Sequence, residues 1–189
     1  MALALQLPTA QALVSPVSVN IFPPFELPSD TAVITGVRFS LLWGKQQSVY
    51  GLDIGVLGNV TYVGAGGTEV SGLFNVTHGK TVIVGAQAAG LNNVNTNTTS
   101  VLGVQAAAGL NFNSSETTIY GVQVALLNIG PRTDIRGVQL GLINTARSVV
   151  GLQIGLINKA ASVHGLQLGF MNINDSGFVK AFPVINGGF

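Results

Sequence analysis

GLQIGLIN (residues 151–158) lies between two near copies of itself, GVQLGLIN (137–144) and GLQLGFMN (165–172). The opening glycines of the three copies, Gly137, Gly151 and Gly165, are 14 residues apart. Period two runs through each copy. Val150, Leu152, Ile154 and Leu156 share one face, and Gly151, Gln153 and Gly155 share the other. Such alternation is a strand pattern, because a helix would space its large apolar residues three and four apart. Looser copies open at Gly51, Gly85, Gly103 and Gly121, separated by polar inserts such as NVNTNTTS (93–100) and NSSETT (113–118). A repeat of this kind sets the architecture before any other feature does.

The alternation and the turn-forming connectors predict about ten strands, near 32–44, 48–59, 69–77, 81–92, 99–111, 117–128, 133–144, 148–158, 162–172 and 178–189. Residues 31–189 are expected to form one repeat-built unit, and 1–30 an extended N-terminal segment. Within that segment Pro23 and Pro24 argue against central-strand pairing. MALALQLPTAQA (1–12) has the apolar run and the Ala10-Gln11-Ala12 step of a secretory signal, but lacks its positive leading region. It reads either as a signal remnant or as an apolar tail.

Composition narrows the function classes. Charged residues make up 8% of the 189-residue chain, mean hydropathy is +0.51, and net charge is +1. Soluble domains usually carry about a quarter charged residues. The few Lys and Arg are scattered, so no nucleic-acid footprint is expected. There is no cysteine, which removes thiol catalysis and disulfide staples. No run of 18 or more apolar residues provides a helical membrane span.

Two architectures repeat short strands: an antiparallel up-and-down barrel and a parallel solenoid. The unit G-x-Q-x-G is a palindrome about its glutamine. Antiparallel pairing can place Gln153 opposite Gln167, with Gly155 opposite Gly165 and Gly151 opposite Gly169, through the loop Lys159–Ala161. Large apolar residues then stay on one face. A solenoid needs a second strand per coil, and NVNTNTTS offers no apolar one. Against the barrel, loops such as TAR (145–147) and KAA (159–161) lack the glycine that three-residue hairpins favour. The reading adopted is an all-β, antiparallel barrel of about ten strands of the outer-membrane type, with the parallel β-solenoid as its alternative.

In that barrel the aliphatic face meets lipid, and Gly and Gln face the lumen. Closure removes the edges that hydrocarbon cannot satisfy. Trp43, Tyr50, Tyr120 and Phe170 fall near strand ends in phase with the apolar face, and the chain ends in Phe189, as outer-membrane barrels commonly end in an aromatic. Gln87, Gln105, Gln123, Gln139, Gln153 and Gln167, with Asp53 in the equivalent slot, are expected to form a lumen-facing amide ladder, since glutamine both donates and accepts. Arg38 and Asp53 are expected to meet in the lumen as an ion pair.

The GLQLGLxN-type units resemble a bacterial family of surface-repeat-containing proteins. The stretch 21–59 is similar to that family's opening, and KAFPVINGGF (180–189) to its close. Units within 72–111 depart from the pattern, with Ala replacing Leu or Gly. The resemblance implies an exported protein of the bacterial outer membrane or cell surface, and it implies no catalytic residue.

Nothing else in the chain suggests chemistry. His78 and His164 lack metal-ligand spacing, the seven carboxylates mostly fall in expected turns, and GAGG (64–67) lacks the Lys-Ser/Thr of a phosphate loop. Asn59, Asn75, Asn97 and Asn113 open Asn-x-Ser/Thr triplets that read as turn chemistry. The expectation is a protein without enzymatic activity, cofactor or metal. Its partners would be the lipid bilayer and other outer-membrane or surface proteins, with a structural, pore or assembly role. The alternative is a secreted or surface-attached solenoid that binds a partner through its Gln/Gly face.

Overall fold

The computed structural model describes residues 13–188, so the expectation about 1–12 and the terminal Phe189 lie outside the described residues. The described chain is all strand and turn. Its strands are β1 (Val14–Phe22), β2 (Phe25–Leu27), β3 (Val33–Ser40), β4 (Trp43–Gly55), β5 (Gly58–Ser71), β6 (Phe74–Thr77), β7 (Lys80–Ala89) and β8 (Asn92–Asn95). They continue as β9 (Thr99–Ala107), β10 (Leu110–Asn113), β11 (Thr117–Val124), β12 (Leu127–Ile129), β13 (Thr133–Leu140), β14 (Ile143–Ile154), β15 (Ile157–Asn174) and β16 (Ala181–Gly188).

The pairing is parallel, which overturns the antiparallel barrel and its transmembrane strands. Gln139 pairs with Gln153 and Gln153 with Gln167, while Gly137, Gly151 and Gly165 pair with one another in turn. Among the described residues, antiparallel partners occur only where β2 meets β1 and β16 meets β15. The chain is a parallel β-solenoid of about ten coils.

One coil shows the construction. The long strand β13 turns Ile135, Gly137 and Gln139 inward and Arg136, Val138 and Leu140 outward. The chain turns at Gly141 and Leu142. A short strand then begins at Ile143, with Asn144 and Ala146 inward. A polar corner at Arg147 leads into the next long strand, which starts within β14. The chain therefore closes each coil with two facing strands, a long one and a short one. TAR and KAA are not hairpin loops; they lie inside β14 and β15.

The palindrome G-x-Q-x-G permits glutamine to face glutamine in either direction. Two features accompany the parallel choice, one outside the palindrome and one in its backbone. The first is asparagine. Asn144, Asn158 and Asn172 each follow their glutamine by five residues. Parallel stacking brings asparagine over asparagine, whereas antiparallel pairing scatters them. The second is backbone conformation. Gly137 and Gly151 have φ of 141° and 131°, a region side chains avoid, and a Cβ on Gly137 would lie 2.1 Å from the Gly121 carbonyl oxygen. In the parallel register Gly137 packs flush on Gly121 and Gly151 on Gly137.

A second apolar strand per coil proves unnecessary. Within NVNTNTTS the short strand β8 sends Asn93 and Asn95 inward. The interior is mostly amide and hydroxyl, with one apolar row, Ile83, Val101, Ile119, Ile135, Val149 and Val163, joined by Ala146 and Ala160 from the short strands. A further small cluster, Ala32, Ile34 and Val49, closes the first coils. Residues read as an extended lead-in also join the body: β1 pairs in parallel with β3 despite the nearby prolines.

Candidate functional site

There is no barrel lumen, so the Asp53 and glutamine row faces the inside of the solenoid. The register aligns Arg38 with Asp53, Asp53 with Glu69, Glu69 with Gln87, and so on through Gln105, Gln123, Gln139, Gln153 and Gln167 to Asn186 of β16. Every member is buried. Each glutamine Nε2 donates to the Oε1 of the coil before it: Gln105 to Gln87 at 2.8 Å, Gln123 to Gln105 at 2.7 Å, Gln139 to Gln123 at 2.7 Å, Gln153 to Gln139 at 2.6 Å, and Gln167 to Gln153 at 2.7 Å. Gln167 Oε1 ends the row without a hydrogen-bond partner among the described residues.

A second ladder, unforeseen in the sequence, runs the other way. Asn59 Nδ2 donates to Asn75 Oδ1, and the pattern repeats through Asn93, Asn111, Asn128, Asn144 and Asn158 to Asn172, at 2.8–3.1 Å. Each asparagine also donates to a main-chain carbonyl at the end of a neighbouring long strand, as Asn128 does to Leu140 at 2.6 Å and Asn158 to Leu168 at 2.8 Å. The same oxygens also accept main-chain N–H groups at the Gly-Leu corner, Leu140 from Ala125 at 3.2 Å and Leu168 from Gly155 at 3.0 Å, so the asparagine supplies a second donor to each. Asn59, Asn75 and Asn113, read above as turn chemistry, are buried strand residues. The signal that could have found the ladder is the asparagine that follows each glutamine by five or six residues. In the central coils the two short-strand residues Asn95 and Asn113 bridge the sheets, each exchanging hydrogen bonds with a glutamine of its own coil.

The first coils replace amides with charges. Arg38 Nε donates to Asp53 Oδ1 at 2.7 Å and Nη2 to Oδ2 at 2.5 Å, a bidentate buried pair. Arg38 Nη1 also donates to the Val60 carbonyl at 3.1 Å. Glu69 comes next in the row. It accepts from Gln87 Nε2 at 2.8 Å through Oε2, while its Oε1 is buried with no hydrogen-bond partner among the described residues. Burial pushes Glu69 up to about 7, helped by the neighbouring Asp53 charge and opposed by the Gln87 hydrogen bond and by Arg38. Burial also raises Asp53, against the pull of Arg38. One cation thus faces two stacked carboxylates, and Asp53 takes its full bidentate geometry.

The large aliphatic side chains turn outward in the phase that the sequence alternation predicts, onto the exterior of a solenoid. On the long sheet Val104, Val122, Val138, Leu152 and Leu166 form one outer row, and Val124, Leu140, Ile154 and Leu168 another. Exterior hollows are lined by the same chemistry, for example about 310 Å³ beside Leu166, Val179, Phe182 and Ile185 where β16 crosses the last coil.

Charge collects at the opposite edge. Arg147 binds Asp134 through Nε and Nη2, at 2.8 and 2.6 Å, and Glu116 through Nη1 at 2.5 Å. The two hydrogen-bonded carboxylates hold its guanidinium above the usual arginine range. Lys45 lies 3.6 Å from Asp30 on the same edge.

These features define the chain as an amphipathic parallel β-solenoid with an amide-filled interior. No family model, curated protein or solved structure matches it.

Proposed function

We propose that the chain is an exported β-solenoid of the bacterial cell surface that works as a binding scaffold and not as an enzyme. The observation that carries this reading is the distribution of its side chains. The amides and the buried ion pair are engaged with one another inside, and the exterior presents rows of aliphatic groups along most of the axis. An exposed apolar area of that extent exceeds what soluble monomers usually leave uncovered, and it marks a contact surface. The resemblance of the head, repeats and tail to surface-repeat proteins supports export.

The Gln/Gly face cannot be the contact surface, because Gln87 through Gln167 are buried. The partner is held by the outer aliphatic rows. The test is amine labelling of intact and lysed cells with a membrane-impermeant reagent. Lys80 and Lys159 are the expected targets on the polar edge. Labelling in intact cells supports the reading, and labelling only after lysis sinks it.

A further inference from the structure

We infer that the Gly-Leu corner of the solenoid is built to enter the hydrocarbon of an uncharged phospholipid leaflet. This rests on the scaffold reading above and names its partner. Three observations carry it.

The first is side-chain chemistry. Leu91, Leu126, Leu142, Leu156 and Phe170 crown corners along the axis and are 46 to 78% exposed, with Ala108 and Gly109 at the one corner between Leu91 and Leu126. None of the fifteen charged residues falls in the corner segments, which read FSLLWG (39–44), IGVLGN (54–59), VSGLFN (70–75), AAGLNN (88–93), AAAGLN (106–111), VALLN (124–128), LGLIN (140–144), IGLIN (154–158) and LGFMN (168–172). Their asparagines point inward into the ladder, except Asn92, which lies in the outward row. At ~4.8 Å per coil the crown runs for roughly 40 Å along the axis.

The second is the backbone. Hydrocarbon tolerates a turn only when its polar groups are satisfied within the protein. Here each turn bonds to the coil before it: Leu57 N–H donates to the Leu42 carbonyl, Leu73 to Leu57, Leu142 to Leu126, Leu156 to Leu142, and Met171 to Leu156, at 2.8–2.9 Å. The asparagine ladder caps carbonyls of the adjoining long strands from inside. An ordinary surface turn leaves these groups to water.

The third is shape. The apolar surface continues from the long sheet around the corner onto the short one, where Leu110, Leu127, Ile143 and Ile157 form the next row. A convex edge is not covered by one flat face of a second copy, whereas acyl chains conform to it. The charged edge lies on the far side of the coil, facing water in this orientation. With no basic rim around the crown, the lipid it fits is zwitterionic.

The test uses the full chain and phosphatidylcholine vesicles. We expect the protein to float with them at low and high salt alike. Trp43 is the only tryptophan and sits beside the first of these corners. Its emission should move to shorter wavelength and be quenched by phosphatidylcholine brominated on the acyl chain. The variant Leu126→Glu, Leu142→Glu, Leu156→Glu changes exposed side chains only, and it should lose at least about tenfold in bound fraction, equivalent to ~1.4 kcal/mol. If the variant fails to fold, the brominated-lipid result on the native chain decides.

Absence of flotation overturns the inference. So does flotation without acyl-chain quenching, or a two-copy assembly in solution that the variant dissolves while vesicles leave Trp43 unquenched. Cell-surface labelling without vesicle binding would remove the lipid and leave the scaffold. Labelling only after lysis would remove the scaffold.

Discussion

Glu69 stands where the six coils after it carry glutamine, and its carboxyl can ionise where their amides cannot. With a folded value of about 7 against an ordinary 4.5, the folded chain holds that proton more tightly than the unfolded one. Its contribution to stability is therefore fully present below about pH 4.5 and lost as pH rises through about 7. A shift of this size corresponds to roughly 3 kcal/mol. In Glu69→Gln the side-chain oxygen can still accept from Gln87, and the new amide faces the Asp53 carboxylate. We expect the variant to match the native chain near pH 4.5 and to exceed it in stability by a few kcal/mol at pH 8, in urea titrations across that range. Equal pH slopes for the two proteins would show that Glu69 is ionised in the fold. Arg38 and Asp53 are legible as partners because both fall on the inward phase of adjacent strands. Glu69 escaped because its coil reads VGAGGTEV (63–70), in which the repeat is hard to recognise.

At the scale of the strand, a ladder differs from a set of separate hydrogen bonds. Gln139 accepts from Gln153 and donates to Gln123. Removing its amide leaves one buried donor and one buried acceptor unmet, and each costs about 1–3 kcal/mol. Gln139→Leu should lower stability by roughly 2–5 kcal/mol in urea unfolding, although leucine fills a similar volume. A loss under about 1 kcal/mol would mean that water or a rotated neighbour replaces the bond.

The alternation that identified strands also indicated which side chains face out, because period two is a property of the extended backbone itself. It could not give strand direction. That depended on Asn144, Asn158 and Asn172, residue types as common in turns as in ladders. It also depended on the assumption that a core must be apolar. Buried amides serve equally well when each finds a partner one coil away.

For the whole molecule, the repeat implies stability that is nearly a sum over coils and their neighbours. End coils have one neighbour and central coils have two. Amide exchange should therefore be slowest within β9, β11 and β13 and faster toward β1 and β16, with graded protection. Uniform protection along the axis would instead mean that the solenoid opens only as a unit. The parallel stack also explains why inserts vary in length. Successive ladder glutamines are separated by 18, 16 or 14 residues. Most of the difference is looped out at the polar corner, where water meets the extra backbone.

The sequence by itself determined that this chain is made of strands, which residues each strand turns outward, and that amides and glycines stack with their own kind, because all of these follow from local periodicity and hydrogen-bonding capacity. Only the tertiary structure decided that the strands run parallel and that each coil closes on a second, short strand. It alone set the asparagines against the glutamines as an opposed ladder, and drew the aliphatic rows around one edge. Those outcomes depend on contacts between residues in neighbouring coils, and a motif symmetric about its own centre carries no information about direction.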